Sequence, residues 1–264
     1  MDLVSLRRRL KAAIQTGLAA RGIEMHRTTA GLRRTLPAVL AHYRRLGLAP
    51  LTVIDVGVGP GTPELYQAFP DAKLVLVEPL EEWRGALEHL RRSRAAEVVL
   101  AAAGAQNGEV EVAVHRVPTL SSMLGARPGD AAKPGRRTVP MLRLDDLRQE
   151  RDLVGPFVVK VDVEGAELEV LAGAVDALRD SELVLLEVSL FELVAGAPQF
   201  HEVVFWMHDH GFVVADIYNG HNRPLDGALA QLDVAFVQER GRFRAEHAYA
   251  TPAQADALYR SWGY

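Results

Sequence analysis

Residues 53–79 constrain the fold of this chain more than any other stretch, because they read as a strand, a glycine turn, a helix start and a second strand ending in an acid. Val53-Ile54-Asp55-Val56 is a short, nearly all-apolar run, the pattern of a parallel strand covered on both faces. Gly57-Val58-Gly59-Pro60-Gly61 follows. Glycine suits such a turn because it tolerates positive φ and, lacking Cβ, lets a ligand lie against the backbone. A helix can begin at Gly61 or Thr62, with Pro63 in its first turn, where a missing N–H costs nothing. Lys73-Leu74-Val75-Leu76-Val77 then delivers Glu78 at a strand's carboxyl end, where a carboxylate can take both hydroxyls of a ribose.

Two cofactor classes use this layout, and glycine spacing separates them. A dinucleotide fold expects G-x-G-x-x-G, with its third glycine one turn into the helix beside the pyrophosphate. Here the glycines are 57, 59 and 61, and position 62 is Thr. That spacing, preceded by Asp55, resembles the S-adenosylmethionine loop of class I methyltransferases. The ligand has no phosphate for a helix N-terminus to grip, and Asp55 can help satisfy its ammonium group. A tight strand-to-helix turn alone would also use glycine, so the later segments carry weight in the choice.

At 264 residues the chain has room for one α/β domain with a sizeable core, or for that and a small appendage. Its 48% hydrophobic and 24% charged residues are those of an ordinary soluble protein. No run approaches roughly 18 uncharged apolar residues, and no apolar segment follows Arg7, Arg8, Arg9 and Lys11. The expectation is a cytoplasmic protein without a membrane span or secretory signal. The absence of cysteine excludes disulfides and cysteine-based zinc sites. The net charge of −4 is uneven: residues 1–50 hold ten Lys or Arg against Asp2 and Glu24, which leaves −12 for the remainder. A solvated helical face explains the basic segment better than a nucleic-acid partner, since the arginines are not interleaved with aromatics and the acidic body would repel a polyanion.

In chain order, the spacing of Leu3, Leu6, Leu10, Ile14 and Leu18 predicts an amphipathic helix over 2–20, and that of Leu32, Leu36, Val39, Leu40 and Tyr43 a second over 31–45. Residues 1–50 are thus expected as a helical cap or a homodimer interface, with simple packing on the sheet as the equal alternative. Residues 51–240 form the main domain and 241–264 a tail or helix. A helix is expected over 81–92, a third strand over 97–103 with Ala103-Gly104 near an adenine, and a half-buried strand over 109–117. A strand over 139–144 completes an insertion around a substrate-facing loop at 118–138. Core strands follow at 157–161 and 183–188, a helix at 201–210, and strands at 212–217 and 232–237.

Strand ends carry ligands in open α/β sheets, and this chain places Asp55, Glu78, Asp162 and Glu187 at four of them. Four acids at one rim favour a cationic ligand, which S-adenosylmethionine is. A divalent ion on Asp162 and Glu187 is the alternative, and is not the one adopted. Glu164 and Glu167 suit the first turn of a helix by its dipole.

The segment Lys160-Val161-Asp162-Val163-Glu164-Gly165-Ala166-Glu167, with the Leu168 to Ala174 residues after it, closely resembles the signature of the FkbM-type methyltransferases. Ile54-Asp55-Val56-Gly57 with Gly61, Val77-Glu78-Pro79, Ala102-Ala103-Gly104, Ser121-Ser122, Leu144-Asp145-Asp146-Leu147 and Glu187 are similar too, so the resemblance covers about 52–190. Gly59-Pro60 departs from it, where the family usually has Asn and an aliphatic residue. The resemblance implies a class I, Rossmann-like enzyme: a doubly wound, mostly parallel seven-stranded sheet with extra strands before the fourth core strand. It also implies methyl transfer from S-adenosylmethionine to hydroxyls of sugars or polyketide-type natural products.

The cofactor residues expected on this basis are Asp55, Gly57, Gly59, Gly61, Glu78, Pro79, Ala103, Gly104, Ser122 and Asp162. For Ser122 the alternative is a loop-capping role. Asp162 is the first candidate to accept the acceptor's proton or orient its oxygen, with His201, His208 and His210 as alternatives. The expected partner is a small hydroxylated molecule, with neither nucleic acid nor membrane. The rivals are a protein amide or nucleic-acid nitrogen as acceptor, a non-catalytic binding module, and an NAD-dependent enzyme, against which Thr62 argues.

Overall fold

The computed structural model describes residues 32–125 and 135–262. Its strands are β1 (Thr52–Val56), β2 (Lys73–Val77), β3 (Glu97–Val99), β4 (Ala102–Ala103), β5 (Gly108–Val114), β6 (Gly135–Leu142), β7 (Phe157–Val161), β8 (Ser181–Ser189), β9 (Phe212–Asn222) and β10 (Leu229–Gln238). Seven of them form one sheet in the order β3-β2-β1-β7-β8-β10-β9. The first five are mutually parallel, and β10 runs against both its neighbours. This is the mostly parallel, seven-stranded sheet expected.

Strand side chains alternate between faces, so each strand feeds two cores. Ile54, Val75, Val159, Leu186 and Phe236 join one cluster, and Val53, Leu74, Val158, Leu185 and Ala235 join the other. The helices α1 (Leu36–Arg45), α2 (Pro63–Ala68) and α3 (Arg84–Arg94) bury Val39, Leu65 and Leu87 in the second. The first is covered by α4 (Leu144–Glu150), α5 (Glu167–Ala172), α6 (Val175–Arg179) and α7 (Phe200–Asp209), through Leu147, Leu171, Leu178 and Met207. The sheet is therefore doubly wound. Truncating a fully buried Ile54 to Ala would cost about 2–5 kcal/mol.

Several boundaries differ from expectation for physical reasons. The helix expected over 31–45 starts at Leu36, after an extended Thr35 and with Pro37 in its first turn. Its Leu36, Val39, Leu40 and Tyr43 are buried on the sheet, and the compact unit begins at Arg34, so this helix belongs with the main domain rather than with a separate 1–50 segment. The helix expected over 2–20 lies outside the described residues. The third strand is broken: β3 pairs with β2, whereas β4 leaves for a second sheet, ordered β4-β6-β5, by pairing with Met141 and Leu142. In the 118–138 segment, β6 already begins at Gly135, with Arg137 paired to Glu82 at 2.7 Å; residues 126–134 lie outside the described residues. The C-terminal segment ends in α8 (Pro252–Trp262).

The resembling Leu144-Asp145-Asp146-Leu147 run turns out to tie helices together. Buried Asp145 accepts hydrogen bonds from the N–H groups of Asp176 and Ala177, at 3.0 and 2.9 Å, in the first turn of α6. Acceptance of otherwise orphaned helix N–H groups is a capping interaction worth about 1 kcal/mol.

Candidate active site

A cavity of about 750 Å³ opens at the carboxyl ends of β1, β2, β7 and β8. Its size is that of a ligand pocket. One end is built from the glycine turn. Gly57 lies at φ +74°, and a Cβ there would stand 1.8 Å from the carbonyl oxygen of Asp162, so only glycine lets the ends of β1 and β7 pass. At Gly59, φ +53°, a Cβ would stand 3.9 Å from Trp83 and from Thr119, which also line the cavity. Glu78 reaches back to this loop: Gly59 N–H donates to its Oε2 and Leu80 N–H to its Oε1, both at 2.9 Å. Burial pushes the Glu78 carboxyl up, against the pull of these two N–H groups. Pro79 and Ala103 complete this end.

The other end is built from charged side chains. Strand register aligns Val161 with Leu186 and Asp233 with Glu187, so Asp162, Glu187 and Asp233 form a row across β7, β8 and β10. Lys160 Nζ lies 2.9 Å from Asp162 Oδ2 and 3.7 Å from Asp55 Oδ1. Burial alone would lower this ammonium's pKa; Asp162 and Asp55 outweigh it, raise it and keep Lys160 charged. Glu187 accepts from Gln231 Nε2 at 3.0 Å, and burial, then the charges of Asp162, Glu164 and Asp233, push it up to about 9. That direction favours its protonated form. Asp233 accepts from Asn219 Nδ2 at 2.8 Å, and burial pushes it up to about 6.

Asp162 ends its strand in the turn that carries the signature acids. Glu164 (φ +55°) and Gly165 (φ +104°) are both left-handed, a strain that a non-glycine residue holds only when its surroundings fix it. Two bonds do so: Ser122 Oγ donates to the Glu164 carbonyl at 2.7 Å, and Gly165 N–H donates to Glu167 Oε1 at 2.9 Å. Glu167, buried, is pushed up to about 7 by desolvation.

Of the cofactor residues expected, Gly57, Gly59, Gly61, Glu78, Pro79, Ala103 and Asp162 line one cavity. Asp55 does not line it: fully buried beneath, it accepts the Tyr66 hydroxyl at 2.6 Å and faces Lys160. Nor does Gly104, whose missing side chain makes room for Met141 and whose carbonyl packs on Gly173. Ser122 braces the Glu164 turn, while its neighbour Ser121 lines the cavity.

His201 and His210 are not brought to the site. His201 is exposed and packs edge-on against Phe205. His210 stacks on Trp206 at 3.6 Å, beside the start of β9, which pairs with the end of β10 at the opposite rim of the sheet. His208 lies in the groove at that same rim. Helix α7 starts beside the end of β8 and runs away from the carboxyl ends, which carries His208 and His210 to the opposite rim.

Sequence reasoning passed over Lys160, Asn219 and Asp233 as site residues. Lys160 and Asp233 left a signal, since a lone charged residue within an otherwise apolar strand, Val158-Val159-Lys160-Val161 and Leu232-Asp233-Val234, needs a partner or a ligand to offset its burial; Asn219 left none.

The residues present fit S-adenosylmethionine: a glycine cradle without side chains, a carboxylate fixed at the loop, and an excess of acids for a cation. The model of the methyltransferase FkbM domain matches residues 55–214. A hexuronic acid methyltransferase, AglP, of Haloferax volcanii is 33% identical over 87 residues, which span 30% of this chain and 36% of that relative, about a third of its length. Among solved structures, magnesium protoporphyrin IX methyltransferase (ChlM) from Synechocystis PCC 6803 with bound SAM aligns at 14% identity over 80% of this chain and 88% of that one, with a TM-score of 0.43. Precorrin-6y C5,15-methyltransferase from Geobacter metallireducens GS-15 aligns at 14% identity over 77% and 87%, with a TM-score of 0.39. The FkbM match spans more than half of the chain, and the protein belongs to the FkbM family of S-adenosylmethionine-dependent methyltransferases.

Proposed function

We propose that the protein transfers a methyl group to a hydroxyl of a small, uncharged molecule, a sugar or a polyketide-type natural product. One observation carries this reading. Among the described residues lining the cavity, Lys160 is the single basic one, already paired to two carboxylates, and around it stand Asp162, Glu164, Glu187 and Asp233. A phosphate backbone or a carboxylated acceptor would meet net negative charge there, whereas hydroxyls find donors and acceptors of hydrogen bonds. The Haloferax relative is named for a hexuronic acid; the acid lining here favours a sugar without the carboxylate.

S-adenosylmethionine, when bound, supplies a methyl group already activated on a sulfonium. The chain's part is positioning. The Gly57 to Gly61 turn, Glu78 and Ala103 hold the donor, and Asp162, in the row of acids at the other end of the cavity, orients the acceptor oxygen. Asp55 acts from beneath, by holding Lys160 and Tyr66. A divalent ion on Asp162 and Glu187 would have to displace the Lys160 ammonium from Asp162.

The test is a screen of neutral glycosides, hexuronides and hydroxylated polyketides with labelled methyl donor, with and without a chelator. Label on the oxygen of a neutral acceptor, undiminished by the chelator, is expected. Tight donor binding with transfer to none of them, or transfer to protein or nucleic acid instead, would contradict the reading.

A further inference from the structure

We propose that Asp233 is the proton acceptor of the reaction, the carboxylate that takes the hydroxyl proton as the acceptor oxygen is methylated. The inference rests on the O-methyl reading above. Three acids form the row at the acceptor end, and two are otherwise committed. Asp162 gives Oδ2 to the Lys160 ammonium at 2.9 Å, an ion pair that holds this oxygen in place. Glu187 accepts from Gln231 at 3.0 Å, and burial with its acidic neighbours pushes its carboxyl up, toward the protonated form. Asp233 has only a neutral partner: Oδ2 accepts from the Asn219 amide at 2.8 Å, its other oxygen accepts from none of the described residues, and burial pushes its carboxyl up to about 6.

It projects from β10 beside Glu187, its partner across the strands, and lines the same cavity as the glycine turn. It also lies beyond the matched 55–214 segment. The groups around it are Lys160 and Asp162 from β7 and its end, Glu164 from the turn, Glu187 from β8, and Asp216 and Tyr218 from β9. Arg34, on the segment leading into α1, accepts the Asn219 N–H through its carbonyl.

In the step, the acceptor oxygen forms its bond to the methyl carbon as the carbon–sulfur bond breaks, and that electron pair stays on sulfur. The hydroxyl proton passes to Asp233, and the products are a methyl ether and the neutral thioether. The base must be ionised to act, so the rate rises with pH through the carboxyl's own transition and is level above it.

The experiment measures kcat against pH for wild type, Asp233→Asn and Asn219→Ala, on the best acceptor among a panel of neutral methyl hexopyranosides and hydroxylated macrolactones. S-adenosylhomocysteine affinity is read in parallel by calorimetry. Asp233→Asn is expected to lose about 10²–10⁴ in kcat and the acid limb, with nucleoside affinity held. Asn219→Ala removes a bond that favours the ionised form, so its acid limb shifts to higher pH; a merely structural role would leave the limb in place, and this variant also decides the matter if Asp233→Asn fails to fold. An Asp233→Asn enzyme with kcat within about threefold of wild type, or a limb unmoved in Asn219→Ala, overturns the proposal. If the wild type methylates no hydroxyl at all, the O-methyl reading falls, and this proposal with it.

Discussion

The β1–β2 end of the cavity presents glycines, main-chain groups and one carboxylate fixed by two N–H bonds; the β7–β8–β10 end presents titratable side chains in a row. The first end is determined by backbone shape. A conformation that only glycine adopts without strain, or a carbonyl 1.8 Å from where a Cβ would be, leaves little freedom for substitution. The second end is determined by charge balance, which many residue sets could satisfy. A donor common to a family suits the first kind of site, and an acceptor that varies within it suits the second.

Gly57→Ala should separate the two ends most forcefully. The added methyl group meets the Asp162 carbonyl, and the residue sits at φ +74°; a loss of about 3 kcal/mol or more in stability, with donor binding abolished, is expected by thermal melting and calorimetry. Wild-type-like melting would break the claim that backbone shape governs this end.

Lys160→Met comes next. It leaves Asp55, fully buried, facing no cation, and should destabilise by about 3–5 kcal/mol in denaturant titration. A neutral effect would mean that the charge balance at the second end is carried elsewhere.

Glu187→Gln should act in the opposite direction. The Glu187 carboxyl is pushed up in the folded protein to about 9, so the wild type pays, from about pH 4.5 upward, for keeping a proton that the unfolded chain releases. Gln has no such proton to lose. The variant should therefore gain on the wild type as pH rises from 4 to 8, by up to roughly 5 kcal/mol, with the gap closing below pH 4, where both states of the wild type are protonated. Equal stabilities at both pH values would refute the burial of a neutral acid there.

The smallest expected effect is that of Ser122→Ala, about 1 kcal/mol from the lost bond to the Glu164 carbonyl, with donor affinity retained. A large loss of donor affinity would return Ser122 to the cofactor site.

The same contrast explains what could be read before any coordinates. Apolar strands that obey period-two burial, such as Phe157–Val161, and the turn at Gly57 are local consequences of local residues. The family resemblance was legible too, and three of the residues that carry it, Ser122, Gly165 and Glu167, make the bonds that hold the turn at Glu164. Asp55 looked like a ligand group because it ends a strand; only the fold shows Tyr66 and Lys160 reaching it first. The histidines of α7 were plausible by chemistry alone, and it is the direction of a helix that takes His210 to the far rim. Asp233 joins the site through an antiparallel strand pairing across 46 residues of sequence, from Glu187 to Asp233, which no local pattern encodes.

The central claim is that the acid-lined end receives an uncharged hydroxyl. Its most direct measurement is the ratio of kcat/KM for a neutral hexopyranoside to that for the matching hexuronide, with the methylated atom located by NMR. The account predicts methyl ether formation and a neutral acceptor favoured by about tenfold or more, since opposing net charge of this kind costs at least ~1.4 kcal/mol. A hexuronide used as well as or better than its neutral counterpart, or a methyl group found on nitrogen, would contradict it.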